Sequence, residues 1–148
     1  MEAHQNGGQL HRAFSVLVFN TKGELLLQQR AFIKYHCPGL RANTTCSHPR
    51  LGESYFAGAH RRLQEEMGFD CPLEEKFHFV YKAEFANGLT EYEFDRVFFG
   101  QYEGEVVPNP EEVADFRRVS IEVLKHEMAE KPGEFAEWFR IIMEEIKL

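Results

Sequence analysis

A chain of 148 residues with 43% hydrophobic and 28% charged residues has the balance of a soluble globular protein, and is expected to fold as one domain over residues 1–148. Its net charge of −7 argues against nucleic acid as a partner. No apolar run reaches the roughly 20 residues of a membrane span, and the first residues lack the basic and apolar regions of a signal peptide, so no membrane partner and a cytoplasmic location are expected. Three cysteines without framework spacing fit reduced thiols in such a compartment.

In chain order, AFSVLVF (13–19) and ELLLQQR (24–30) flank NTKG and predict a β-hairpin. Residues 31–54 lack helical periodicity, carry Pro38, Gly39, Pro49 and Gly52, and read as a long loop. From Ser54 to Met67 the residues Phe56, Ala59, Leu63 and Met67 recur at helical spacing, with Gly68 as the stop. Two strands follow, 77–85 and 91–102, joined through Asn87-Gly88. Pro108 and Pro110 break the chain before a short strand near Phe116, and Ser120 caps a helix running to Ala129. After Gly133, Phe135, Trp138, Phe139, Ile142, Met143 and Ile146 form the apolar stripe of a last helix. This order lacks regular βαβ alternation. It predicts an α+β fold with a mixed sheet and helices against its faces.

Chemistry-bearing residues gather at three places. The central helix ends in Arg61-Arg62-Leu63-Gln64-Glu65-Glu66-Met67-Gly68, which resembles the end of the Nudix box, a helix that binds divalent cations for diphosphate chemistry. Read alone, the segment is equally a salt-bridged amphipathic helix. It also departs from the hydrolytic pattern. Arg62 stands where an acidic residue usually follows the box arginine, and Gly58 stands where an earlier box glutamate would fall. Several carboxylates that would gather hydrolytic metals are therefore missing, and the added cation favours holding a diphosphate over cleaving it. Next, Glu91 and Glu93 are two apart on a predicted strand and point to one face. They are either a solvated strand end or a carboxylate pair near the core, where repulsion calls for a compensating cation. Last, His4, His11 and His48 stand out, although each alone reads as an ordinary surface or core histidine. Three histidines with two glutamates make a mixed nitrogen and oxygen set, suited to Mn²⁺ or Zn²⁺ better than to Mg²⁺.

Arg30-Ala31 with Lys34, CPGLRANTTCSHPRLGES (37–54), RRLQEEMG, Tyr81 and TEYE (90–93) together resemble the type I isopentenyl-diphosphate isomerases of the Nudix superfamily. The resemblance runs from about His4 to the C-terminal helix. It implies a Nudix-like fold and conversion of isopentenyl diphosphate, a small-molecule substrate, to dimethylallyl diphosphate. By position, it implies Cys46 and Glu93 as catalytic acid and base, Tyr81 near that glutamate, and Trp138 over the reacting carbon skeleton. His4, His11, His48, Glu91 and Glu93 match the ligands of one divalent cation: Mn²⁺, Zn²⁺ or Mg²⁺. Glu66 and the Cys46 carbonyl match the site of a Mg²⁺ carried in with the diphosphate, and Arg30, Lys34 and Arg62 match the basic residues around it. Taken alone, Trp138 reads as a core residue of its stripe. Arg41 departs from the pattern, since many relatives carry an aromatic residue there. Two alternatives stay open on the sequence: a Nudix hydrolase of a nucleoside or prenyl diphosphate, and a non-catalytic Nudix-like binding module.

Overall fold

Residues 13–18 are buried on both faces of their strand, because this strand lies in the middle of the sheet. The computed structural model describes residues 10–33, 38–84 and 90–146, without the side chains of Ala83, Thr90 and Glu91. Strands β1 (His11–Phe19) and β2 (Leu25–Arg30) form the expected hairpin, followed by β3 (Arg41–Ala42) and β4 (Thr45–Ser47). Helix α1 (Tyr55–Met67) leads to β5 (Leu73–Glu84), β6 (Thr90–Gln101) and β7 (Val113–Val119). Helix α2 (Ile121–Glu130), a 3-10 turn (Pro132–Glu134) and helix α3 (Glu137–Glu145) complete the described chain. The seven-stranded sheet runs β3-β2-β1-β6-β5, with β4 paired to β1 and β7 to β2. The β1–β6 pair is parallel and the other pairs are antiparallel, so the sheet is mixed as expected.

The pleat sends alternate residues of β1 to two separate cores. Phe14, Val16 and Val18 pack with Ala59, Leu63 and Met67 of α1, whereas Leu17 packs with Leu124 of α2 and Trp138, Phe139 and Ile142 of α3. Ser54 caps α1 by accepting from the Ala57 amide at 3.0 Å, and Gly68 ends it at a φ of 73°. A side chain at Gly68 would also meet the Val107 carbonyl oxygen at 2.4 Å, so both backbone and space require glycine. Among the described residues no helix is long and apolar enough to cross a membrane.

Four expectations change. The span read as a loop, 31–54, contains β3 and β4, whose two and three residues are too short to show a period. The strand expected from 77 starts at Leu73. Phe56, expected on the buried stripe of α1, is 50% exposed; the stripe is instead Gly58, Ala59, Leu63, Glu66 and Met67. Phe135 precedes α3 rather than belonging to it, and is buried where it bridges to Arg41. The Asn87-Gly88 turn lies outside the described residues.

Gly58 lets α1 approach β1. A Cβ there would lie 2.9 Å from the Phe14 ring and 3.0 Å from Glu53 Oε1, so the position has no room for a box glutamate. Alanine gains about 1 kcal/mol of helix propensity, but overpacking typically costs about 1–3 kcal/mol. Gly58→Ala is therefore expected to lower stability by about 1 kcal/mol in urea unfolding; a raised midpoint would contradict this packing.

Candidate active site

The site follows from strand register. Cys46 pairs with Ser15 across β4 and β1, His11 pairs with Glu93 across β1 and β6, and Glu93 pairs with Tyr81 across β6 and β5. Paired residues share a face, and Ser15 and His11 have the parity of Leu17, which faces α3. Cys46, His11, Glu93 and Tyr81, separated by long stretches of sequence, therefore meet on the α3 side of the sheet. Cys46 packs there against the core that contains Tyr81 and Trp138. Thr45 points the other way, to α1, where its hydroxyl bonds Glu66.

Two clusters form on the α3 face. In the first, the Arg30 guanidinium lies 5.4 Å from the centre of the Trp138 ring, and its Nη1 donates to Cys46 Sγ at 3.7 Å. The indole Nε1 donates to Asn43 Oδ1 at 3.2 Å. In the second, His48 Nε2 and Glu93 Oε1 are 2.6 Å apart, and the His11 ring stands edge-on to His48 with centroids 6.5 Å apart. Glu93 is only 7% exposed, so the pairing with His48 offsets the cost of burying its charge. Ser47 alone separates the cysteine from the histidine along the chain, which ties the clusters together.

The opposite face carries Glu66, which is 3% exposed although it lies on a charged helix. Its Oε1 accepts from Gln28 Nε2 at 3.1 Å and from the Thr45 hydroxyl, and its Oε2 accepts from Arg62 Nη2 at 2.6 Å. Arg62 also meets Glu65 at 2.8 Å and Glu112 at 3.2 Å. Burial acts against the Arg62 charge, but the carboxylates of Glu66, Glu65 and Glu112 outweigh it and hold the guanidinium above its ordinary pKa. Expected at a diphosphate, Arg62 is thus engaged by three protein carboxylates.

His4, Lys34 and the side chain of Glu91 lie outside the described residues. The remaining expected residues fall into the two places above: Arg30, Cys46, His11, His48, Tyr81, Glu93 and Trp138 on the α3 face, Arg62 and Glu66 on the α1 face. Among the described residues no group of three or more His, Cys, Asp or Glu side chains is arranged to hold an ion. The donor chemistry of His11, His48 and Glu93, with two imidazoles and a buried carboxylate gathered by register, nevertheless fits a divalent cation. Sequence reasoning missed Asp95, Ser15 and Asn43. Buried Asp95 accepts from the Ser15 hydroxyl at 2.9 Å, and its signal was available, since it continues the every-second-residue series Glu91, Glu93.

The fold is that of a known class. The NUDIX domain family matches residues 9–139. A MutT protein from Methanosarcina mazei shares the fold with a TM-score of 0.73 at 20% identity, over 92% of this chain and 91% of that one. A MutT NUDIX hydrolase from Burkholderia pseudomallei does so with a TM-score of 0.71 at 16% identity, over 94% and 99%. Sequence identity reaches further. The isopentenyl-diphosphate Delta-isomerase 2 of Photorhabdus laumondii is 49% identical over 96% of this chain and 80% of its own length. The isopentenyl-diphosphate Delta-isomerase 1 of Aromatoleum aromaticum is 46% identical over 99% and 82%. The chain belongs to the NUDIX domain family and, within it, to the isopentenyl-diphosphate Delta-isomerases. Membership implies a dependence on divalent metal in general terms.

The loop that carries His48 into α1 is fastened by Glu53. Its carboxylate accepts from Arg61 Nε and Nη2, each at 2.9 Å, and from the Arg50 amide at 2.8 Å. The Arg61 hydrogen bonds, with the Arg50 amide second, depress its pKa from 4.5 to about 2. A depressed carboxylate contributes stability above its unfolded pKa and loses it as pH falls through the folded value. The Glu53 contribution should therefore be complete above about pH 4.5 and disappear toward pH 2. Carboxyl ¹³C NMR should show Glu53 titrating near 2; an ordinary midpoint would mean that the clamp does not hold in solution.

Proposed function

We infer that the chain interconverts isopentenyl diphosphate and dimethylallyl diphosphate, the activity named for its relatives at 49% and 46% identity. The geometry that supports this reading is the gathering of Cys46, Glu93, Tyr81 and Trp138 on one face of the sheet. Moving the double bond adds a proton to the terminal carbon and removes one from the carbon on the far side of the branch point. The alkene is a weak base, so protonation leaves tertiary carbocation character at the branch. One of Cys46 and Glu93 delivers a proton and the other takes one, and their roles exchange when the reaction runs backwards. Each positioned proton-transfer group is typically worth about 10²–10⁴ in rate.

The other residues act on charge and orientation. Trp138 turns a π face to the cation, worth on the order of 2 kcal/mol when desolvated. Tyr81, the cross-strand partner of Glu93, orients the carboxylate that moves the proton. Arg30, from beside the Trp138 ring, and Lys34 hold the diphosphate, while Arg62 fixes Glu66 and adds positive charge on the α1 side. His11, His48 and Glu93, with His4 and Glu91 completing the set, hold one divalent cation, for which Mn²⁺ or Zn²⁺ suits the mixed donors better than Mg²⁺. Glu66, reached from β4 through Thr45, holds with the Cys46 carbonyl the Mg²⁺ that arrives on the diphosphate. When bound, these ions supply charge neutralisation and tune the acidity of the carboxylate beside them. The reading includes action in the cytoplasm, with neither nucleic acid nor membrane as partner.

Incubation with isopentenyl diphosphate in D₂O separates this activity from hydrolysis. Deuterium should enter the carbons flanking the shifting bond while the diphosphate stays whole. Cys46→Ala and Glu93→Gln should each slow that uptake at least 10²-fold. Undiminished uptake in either variant removes that residue from the proton path, and release of inorganic phosphate without bond migration makes the chain a hydrolase.

A further inference from the structure

Asn43 is fully buried and belongs to no expected set of site residues. Its side chain spans the two elements that carry the chemistry. Nδ2 donates to the Val16 carbonyl at 3.2 Å and to the Thr45 carbonyl at 2.6 Å. Both amide protons are thereby directed at backbone oxygens, which fixes the orientation of the amide and leaves Oδ1 to accept from Trp138 Nε1 at 3.2 Å. One side chain thus anchors the strand residue next to Cys46 and sets the rotation of the indole ring.

A ring lying in an apolar helical stripe could pack in more than one rotation. A single N–H bond to a fixed acceptor selects one of them. The selection also positions the ring against Arg30, whose guanidinium meets the ring and the Cys46 sulfur together. We infer that Asn43 is a positioning residue for the isomerisation, holding the indole plane of Trp138 and the Cys46 strand in one geometry so that the π face meets the developing cation. This rests on the reading of Trp138 given under Proposed function. Loss of the bond acts first on the ring that faces the cation and only through Arg30, packed on that ring, on the diphosphate, so kcat should fall by more than KM rises.

Trp138 is the only tryptophan in the chain, so its fluorescence reports on the ring directly. Two variants break the same bond from opposite ends. Asn43→Ala removes the acceptor, and replacing Trp138 with β-(benzothien-3-yl)alanine removes the donor while keeping ring size and π face. Each should reduce kcat about tenfold with a smaller change in KM, and Asn43→Ala should lower the steady-state anisotropy of the substrate-free protein. The Trp138 analogue leaves the Asn43 backbone bonds in place, so it decides the matter if Asn43→Ala fails to fold. Unchanged kcat in the Trp138 analogue, or in a folded Asn43→Ala protein, overturns the inference. A Trp138→Phe enzyme with full kcat would instead sink the role given to Trp138, which distinguishes the two failures.

Discussion

The pleat of β1 governs this molecule. A strand buried on both faces can send alternate side chains to two different helix layers, and the strands paired to it inherit the same division through their registers. With β4 paired at Ser15–Cys46 and β6 at His11–Glu93, a thiol, two imidazoles and a carboxylate from distant segments face α3 together. A one-residue slip in either pairing would turn its side chains toward α1 and dissolve the arrangement. The parallel β1–β6 pairing is held over nine residues, His11–Phe19 against Glu93–Gln101, which makes such a slip costly along most of the sheet's centre.

The other face shows how a helix of the Nudix type is adapted. Gly58 brings α1 close to Phe14 where a bulkier residue would clash, and Arg62 occupies a position next to Glu66 that a hydrolytic box would give to an acid. Glu66 survives burial because Gln28, Thr45 and Arg62 each donate to it. Three donors around one carboxylate supply what water otherwise would. Thr45 belongs to both halves of the molecule. Its hydroxyl meets the Glu66 carboxylate and its carbonyl meets Asn43, one residue from the Cys46 thiol.

Where periodicity was long, the sequence was enough. The hairpin, α1 and, apart from Phe135, the stripe of α3 emerged from spacing alone. The segment 43–45 shows what composition hides. Asn-Thr-Thr reads as part of a long loop, yet all three residues are fully buried, because Thr44 Oγ1 accepts from the Val18 amide and donates to the Leu26 carbonyl while Asn43 meets Val16 and Thr45. Polar residues that satisfy neighbouring strands give no hydrophobic signal. The burial of Glu66 was hidden for the same reason, since its partners Gln28 and Thr45 are 38 and 21 residues away. The role of Lys34 came only from the family resemblance, whereas His4 and Glu91 entered first as part of a mixed nitrogen and oxygen set.

The account stands on the claim that the Cys46 thiol and the Glu93 carboxylate border one space on the α3 face, floored by Trp138. The most direct measurement is a crystal structure of the enzyme with Mn²⁺ and isopentyl diphosphate, the saturated counterpart of the substrate. The account requires the branched carbon between Cys46 Sγ and the Glu93 carboxylate, over the indole, with an anomalous manganese peak at His48 and Glu93. A hydrocarbon tail seated away from either residue, or the absence of a manganese peak at His48 and Glu93, would contradict it.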